Sequence, residues 1–281
     1  MLTRPIPRTG EMLPAIGLGT WQTFDVGSSR AARAPLVEVL RRFTSGVSGR
    51  GVIDSSPMYG KAEQVTGDLL AELRERDELA PAKRPFLATK VWTRGRAQGI
   101  AEMNRSLERM RTDCMDLMQI HNLLDWQTHL PVLRDWKSQG RIRYIGITHY
   151  SHGAFAEMEE ILRTEAVDFV QLPYNVADRE AEKRLLPTAR DTGTAVLVMR
   201  PFDEGSLLRA LRKKALPPFA AEIDCTSWPQ LLLKFILAHA AVTCPIPATS
   251  SPEHLADNLL AGHGRMPDEV MRERIVESAG I

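Results

Sequence analysis

The sequence predicts an α/β fold, a (β/α)8 or TIM barrel with an N-terminal β-hairpin, formed by the 281 residues as a single domain. Short runs rich in Val and Ile alternate with segments that have the 3.6-residue spacing of amphipathic helices. The alternation repeats eight times at roughly 35 residues a unit, as a TIM barrel requires. A doubly wound sheet would show the same alternation, but Gly17-Leu18-Gly19 lacks the third glycine of a dinucleotide-binding turn.

The elements follow in order from these patterns. Residues 1–13 hold a Thr-Gly-Glu turn between short extended pieces and predict a hairpin that closes one end of the barrel. The barrel strands are predicted at residues 14–19, 52–54, 86–90, 115–121, 144–148, 169–172, 195–199 and 242–245. The helices are predicted at residues 31–43, 62–73, 100–110, 130–138, 154–163, 181–191, 228–240 and 252–261. A long loop follows residue 199, and residues 262–281 form a short charged tail after the last helix.

Composition narrows the class of protein. Lys and Arg number 36 against 35 Asp and Glu, so the net charge of +1 gives no reason to expect a nucleic-acid or membrane-surface partner. Cys114, Cys225 and Cys244 are too few and scattered for a disulfide framework or a zinc site, which indicates free thiols in a reducing compartment. The N-terminus does not look like a signal peptide. We expect a cytoplasmic monomer or weak homo-oligomer without a bound metal.

Three successive predicted strands each end on an ionisable residue: Asp54, Lys90 and His121. Tyr59 follows the first of them in a Ser/Pro/Gly loop. Taken alone, an aspartate after a strand is more often a helix cap, a lysine is more often solvated, and a histidine is more often a hydrogen-bonded core residue. The active sites of barrels lie at the carboxyl ends of the strands, so the coincidence predicts that these four side chains converge on a catalytic site.

The segments that carry these residues are Val-Ile-Asp-Ser-Ser-Pro-Met-Tyr-Gly, Ala-Thr-Lys-Val-Trp and Asp-Leu-Met-Gln-Ile-His. They resemble the signature segments of the aldo-keto reductases, and the similarity extends from Pro14 to about Ala261. The resemblance implies that aldehydes or ketones are reduced by a catalytic tetrad of Asp54, Tyr59, Lys90 and His121. Tyr59 would donate the proton, and Lys90, held by Asp54, would lower its pKa. A neutral His121 would bind the carbonyl oxygen.

No side chain delivers hydride, and the resemblance implies NADPH as the cofactor, with NADH possible. Thr148 and His149 take the place of the usual Ser-Asn pair at the carboxamide, and Gln171 would bind the same group. Met199 stands where relatives have a stacking aromatic residue. The implied cofactor residues are Gly19, Thr20, Trp21, Asp54, Thr148, His149, Gln171, Met199, Arg200, Pro201, Phe202, Gly205, Leu207, Ile246, Thr249, His254 and Asn258.

The predicted last helix begins at a phosphate site. Ser251 makes a good N-cap and Pro252 a good first residue, so free N–H groups would point out of the helix. Relatives carry a Lys and an Arg here for the 2′-phosphate of NADP, whereas this chain has Ala248 and His254. We therefore expect weaker discrimination against NADH.

The substrate site is predicted from Trp21, Trp92, Trp126 and Asn122, which follow strands near the tetrad and suit a small apolar or aromatic carbonyl compound. The short C-terminus predicts a shallow, tolerant pocket. Two alternatives stay open. A nucleotide-sensing or scaffold protein of this fold would turn over slowly, and a lyase or aldolase would use Lys90 as a Schiff-base amine.

Overall fold

Eight parallel strands surround the centre of the structure, a computed structural model that describes residues 1–280. Two strands of the N-terminal hairpin come first, β1 (Thr3–Pro5) and β2 (Met12–Pro14). The barrel strands are β3 (Leu18–Gly19), β4 (Val52–Asp54), β5 (Phe86–Val91), β6 (Met115–His121), β7 (Ile142–Thr148), β8 (Phe169–Pro173), β9 (Ala195–Met199) and β10 (Cys244–Pro245). Each strand pairs with its neighbour in the chain, in the order β3 to β10.

Hydrogen bonds between the first and last strands close the sheet. The Gly17 N–H donates to the Pro245 oxygen at 2.9 Å, and the Gly19 N–H donates to the Pro247 oxygen at 3.1 Å. Gly19 and Ala248 also form a parallel bridge. The predicted (β/α)8 barrel is confirmed.

The predicted hairpin is confirmed as well. β1 and β2 pair antiparallel, and Ile6 and Leu13 are fully buried among inward-facing side chains of the barrel strands. Pro14, predicted to begin the first barrel strand, instead ends the hairpin, where it lies opposite Thr3. The hairpin therefore covers the amino ends of the strands and leaves their carboxyl ends open.

Helices cover the outside of the barrel. They are α1 (Arg30–Gly46), α2 (Ala62–Glu75), α3 (Arg96–Arg109), α4 (Trp126–Ser138), α5 (Phe155–Thr164), α6 (Leu185–Asp191), α7 (Ser206–Leu211), α8 (Trp228–Ala238), α9 (Pro252–Leu260) and α10 (Glu269–Ala279). Within residues 1–280, no helix combines the length and the apolar character needed to cross a membrane.

Two of these helices were not predicted. α7 lies in the expected long loop, and α10 follows the helix that was expected to be the last. In α10, Met271, Ile275 and Ala279 are buried at four-residue spacing, and the Asp268 side chain accepts the Met271 N–H. Charged residues between the apolar positions hid this pattern in the sequence.

The barrel interior changes from apolar to polar along its axis. Val52, Phe86, Leu117 and Phe169 form part of an apolar cluster near the hairpin. Beyond them, towards the carboxyl ends of the strands, the interior contains a carboxylate, an ammonium group and two amides. A buried polar layer of this kind is stable only when its members pair with one another.

Candidate active site

Asp54 and Lys90 form a buried ion pair inside the barrel. Asp54 ends β4 and Lys90 lies near the end of β5, so the two side chains project from neighbouring strands. Lys90 Nζ lies 2.7 Å from Asp54 Oδ2 and also donates to the Ser55 oxygen at 2.7 Å. Burial alone would lower the pKa of Lys90, but the Asp54 carboxylate and the Tyr59 phenol raise it above its usual value. Lys90 is therefore a fixed cation at neutral pH.

Tyr59 stands over this pair. The turn that carries it is closed by the Tyr59 N–H, which donates to the Ser56 oxygen at 3.0 Å. Lys90 Nζ lies 5.1 Å from the centre of the phenol ring. Burial raises the pKa of Tyr59 above its ordinary value, and the charge of Lys90 lowers it by a smaller amount. The expected influence of Lys90 is present, but the net lowering expected from the sequence is not.

His121 ends β6 and faces Tyr59, with ring centres 6.1 Å apart and an interplanar angle of 88°. Burial and the nearby charge of Lys90 lower the pKa of His121 to about 3, so the imidazole is neutral at pH 7. Its Nδ1 lies 3.1 Å from Ser56 Oγ, which accepts the Met58 N–H at 3.3 Å. A serine hydroxyl that accepts at its oxygen can donate to Nδ1, which leaves the imidazole proton on Nε2.

A cavity of about 450 Å³ opens beside Tyr59 and His121 and extends to Ala248, near the start of α9. Many of the predicted residues line it: Gly19, Thr20, Trp21, Asp54, Tyr59, His121, Asn122, Gln171, Met199, Arg200, Pro201, Phe202, Gly205 and Ile246. Tyr150 and Glu204 also line it, and both lie within the segments predicted to contact the cofactor. The lining thus runs from the tetrad to Ala248, three residues before the predicted N-cap Ser251.

Other predicted residues lie outside this lining. Lys90 is fully buried, and the remainder are Trp92, Trp126, Thr148, His149, Leu207, Thr249, His254 and Asn258. The side chain of Trp92 lies beside His121, with ring centres 6.1 Å apart. Trp126 is the first residue of α4 and donates through Nε1 to Glu157 Oε1 at 2.8 Å, on α5. Of the three tryptophans predicted for the substrate site, Trp21 lines the cavity and Trp92 lies beside His121 of the tetrad, whereas Trp126 is in neither place.

The amide of Gln171, predicted for the cofactor, is engaged within the protein. Its Nε2 donates to Asp54 Oδ1 at 3.0 Å, and its Oε1 accepts from Thr148 Oγ1 at 3.3 Å. A second amide was missed: Gln119 Nε2 also donates to Asp54 Oδ1 at 3.0 Å. Gln119 precedes His121 by two positions in a strand, so the strand alternation could have placed it on the same inward face.

The loop after β9 has an unusual backbone. Arg200, Asp203, Glu204 and Gly205 all have positive φ. Arg200 pairs with Glu204 at 3.0 Å, and its guanidinium lies 5.1 Å from the centre of the Tyr150 ring. Only the glycine adopts this conformation without strain. The ion pair and the stacked ring hold the loop against one wall of the cavity.

The start of α9 has the geometry expected of a phosphate site. Ser251 Oγ accepts the His254 N–H at 3.2 Å, so Ser251 is the N-cap as predicted, and Pro252 is the first helical residue. Glu253 is in the first turn, where it accepts from Ser251 Oγ at 3.1 Å. The cavity beside the neutral histidine ends at Ala248, a few residues before this capped helix N-terminus, and such an end suits a phosphate group. Among residues 1–280, no group of three or more His, Cys, Asp or Glu side chains suits a metal ion.

Known proteins are similar to this chain in sequence and in fold. The model of the aldo/keto reductase family matches residues 15–277. Methylglyoxal reductase YeaE of Escherichia coli (strain K12) is 29% identical over 254 residues, 88% of this chain and 84% of that protein. A crystal structure of an aldo/keto reductase from Klebsiella pneumoniae with NADP and acetate has a TM-score of 0.77 and 26% identity, and covers 95% of this chain and 92% of that one. Another from Klebsiella pneumoniae, with NADPH, has a TM-score of 0.78 and 25% identity, and covers 99% and 95% of the two chains.

Proposed function

The chain belongs to the aldo/keto reductase family of oxidoreductases, and from this premise we propose that it reduces the carbonyl group of small aldehydes or ketones to alcohols with NADPH. The observation that carries the proposal is the placement of Tyr59 between a fixed ammonium group and a neutral imidazole, at the wall of a cavity of about 450 Å³. A nicotinamide cofactor supplies the hydride when it is bound. The solved relatives with NADP and NADPH support that cofactor.

The protein's own groups handle the proton. Tyr59, whose pKa is raised by burial, is protonated at neutral pH and can donate its phenolic proton to the carbonyl oxygen. Lys90 stabilises the phenolate that this step leaves behind, since its ammonium group stays charged. The Nε2–H group of His121 donates a hydrogen bond to the same carbonyl oxygen and so aligns the substrate.

The cofactor would lie along the cavity towards α9. Gln171 and the loop from Arg200 to Gly205 would contact its nicotinamide half and its pyrophosphate. Thr249, His254 and the N–H groups at the start of α9 would hold its adenosine end, supported by the Ser251 cap. Thr148 would act through Gln171, to which its hydroxyl donates.

The substrate pocket would be formed by Trp21, Asn122 and the face of Trp92 next to His121. The Escherichia coli relative is called methylglyoxal reductase, so short 2-oxoaldehydes are the first substrates to test. A Schiff-base mechanism at Lys90 is disfavoured, because a buried, ion-paired amine with a raised pKa is not a free nucleophile.

The test is Tyr59→Phe, which removes only the phenolic oxygen. We expect kcat for carbonyl reduction, followed by the loss of reduced-cofactor absorbance, to fall by about 10²- to 10⁴-fold. The Kd for NADPH, measured by fluorescence titration, should stay within about twofold because the ring remains. Tyr150→Phe is the matched control, since Tyr150 also lines the cavity but lies outside the tetrad. Near-normal turnover in Tyr59→Phe would overturn the assignment of the proton donor.

A further inference from the structure

Asp54 is held by three donors rather than by Lys90 alone. Lys90 donates to Oδ2, whereas Gln119 and Gln171 both donate to Oδ1 at 3.0 Å. All four residues are at most 2% exposed. The carboxylate is therefore fixed in rotation as well as in position, because both of its oxygens are bound.

The strand register places Gln119 within hydrogen-bond distance of Asp54. Gln119 of β6 lies opposite Lys90 of β5 on one side and Gly146 of β7 on the other. A Cβ at position 146 would come within 2.9 Å of Gln119 Cγ, so the glycine leaves the space that the glutamine side chain fills. The packing thus holds the Gln119 side chain beside Asp54.

The two amides differ in their access to the cavity. Gln171 lines the cavity, and its Oε1 accepts from Thr148. Gln119 is not part of the lining, and its Oε1 is buried without a hydrogen-bond partner among residues 1–280. A buried carbonyl oxygen without a partner destabilises a fold, because it loses its hydrogen bonds to water and gains none in return. The hydrogen bond from Nε2 to the Asp54 carboxylate is therefore the one polar contact within residues 1–280 that the Gln119 amide makes.

We propose that Gln119 is a positioning residue that fixes the Asp54 carboxylate beside Lys90 and shares its negative charge, and so controls how strongly Lys90 acts on Tyr59. Gln171 can exchange Asp54 for a ligand in the cavity, whereas Gln119 cannot. Gln119 therefore keeps the carboxylate in place when Gln171 moves. The kinetic part of this inference rests on the proposed carbonyl reduction, but the positioning itself does not.

The consequence for Tyr59 follows from charge. An N–H bond from Gln119 draws part of the carboxylate charge away from Lys90. Without that bond, the carboxylate attracts the ammonium group more strongly and acts more strongly on the phenol, and both changes disfavour phenolate. Other charged groups act on this network as well. Besides burial, the charge of Asp54 raises the pKa of Cys244 on β10, and Arg200, in the loop after β9, lowers the pKa of Tyr59. Besides burial, Lys90 and His149 lower the pKa of His121.

The test is Gln119→Met, which keeps the length of the side chain and removes the donor. The protein is labelled with difluorotyrosine, whose phenol is more acidic than that of tyrosine, and titrated by ¹⁹F NMR. The chain has 4 tyrosines, and the signal missing from Tyr59→Phe identifies Tyr59. We expect the ionisation constant of Tyr59 to fall by about threefold to tenfold in the variant. The pH profile of kcat for alcohol oxidation, which needs phenolate, should move upwards by about 0.5 to 1 pH unit, the logarithm of the same threefold to tenfold change.

The control is Gln230→Met. Gln230 is also a buried glutamine whose Nε2 donates to an aspartate, Asp257, at 2.5 Å, but it lies on α8. It should leave the Tyr59 titration unchanged. The Kd for NADPH separates the two amides, because Gln171→Met should weaken binding and Gln119→Met should not. If Gln119→Met does not fold, Gln119→Leu serves the same purpose.

An unmoved Tyr59 titration in folded Gln119→Met, or an equal shift in Gln230→Met, would overturn the inference. An increase in the Kd for NADPH in Gln119→Met equal to that in Gln171→Met would also overturn it, since it would place Gln119 in the binding site. Failure of the wild-type protein to reduce any carbonyl compound would refute the proposed function and leave the NMR result standing. Wild-type turnover with an unmoved titration would refute only the role of Gln119.

Discussion

Replacing Lys90 with methionine would test the energetic cost of the buried ion pair. Lys90 is fully buried and Asp54 is 2% exposed, so neither charge is screened by solvent. Removing one partner of a buried pair costs about 3 to 5 kcal/mol, because the other charge stays buried without compensation. Asp54 keeps the hydrogen bonds from Gln119 and Gln171, and methionine fills nearly the same volume. We therefore expect the free energy of unfolding to fall by about 3 kcal/mol, the lower end of that range.

The assay is urea denaturation with the slope m compared across variants, since a change in midpoint at constant m reports stability. The double variant Lys90→Met/Asp54→Asn should recover about half of the loss. In that variant the asparagine carbonyl can accept from both glutamines, and the buried negative charge is gone. Lys234→Met is the matched control, because Lys234 is equally buried but donates to the backbone oxygens of Ile223 and Arg265.

Two results would refute this reasoning. One is a Lys90→Met variant within about 1 kcal/mol of the wild type, the scale of an ordinary hydrogen bond. The other is a double variant whose loss equals the sum of the two single losses, which would mean that the two charges are not coupled. Either result would leave the ion pair without the role assigned to it.

Two further predictions concern histidines. The pKa of His121 is lowered to about 3 in the folded protein. Below about pH 6.5 the unfolded chain therefore binds a proton at this histidine that the folded chain does not. The free energy of unfolding thus decreases as the pH is lowered. His121→Gln should therefore reduce the loss of unfolding free energy between pH 6 and pH 4, measured by urea denaturation, by about 2 kcal/mol; an unchanged loss would contradict the neutral assignment. His254→Arg should lower the Kd for NADPH relative to NADH by about tenfold in fluorescence titrations, since it places a cation at the start of α9; equal changes for both cofactors would place the 2′-phosphate elsewhere.

The sequence predicted the barrel and the convergence of Asp54, Lys90 and His121, because both depend on strand ends. Asp54, Lys90 and His121 are visible as ionisable residues that follow β-branched or apolar runs, and strand order alone brings them together. Gln119 escaped notice because its role comes from a hydrogen bond across two strands rather than from its local pattern. Helix α10 escaped because its buried positions are separated by charged residues.

The pKa of Tyr59 shows where sequence reasoning stops. The chain identifies the ammonium group beside the phenol, and that group does lower the pKa of Tyr59. The size of the opposing contribution depends on how much water the folded site excludes, which no local pattern reveals. In the structure burial is the larger effect, so the pKa is raised.

A raised pKa suits a proton donor better than a proton acceptor. At neutral pH the phenol of Tyr59 is fully protonated and ready to give its proton to a carbonyl oxygen, whereas alcohol oxidation would need the scarce phenolate. The buried ammonium of Lys90 does not remove this preference, because the Asp54 carboxylate partly neutralises it and burial of the phenol outweighs it. The polar layer thus leaves Tyr59 protonated before the reaction. After the proton has left, the Lys90 ammonium group stabilises the Tyr59 phenolate. Both effects favour reduction as the direction of the proposed chemistry.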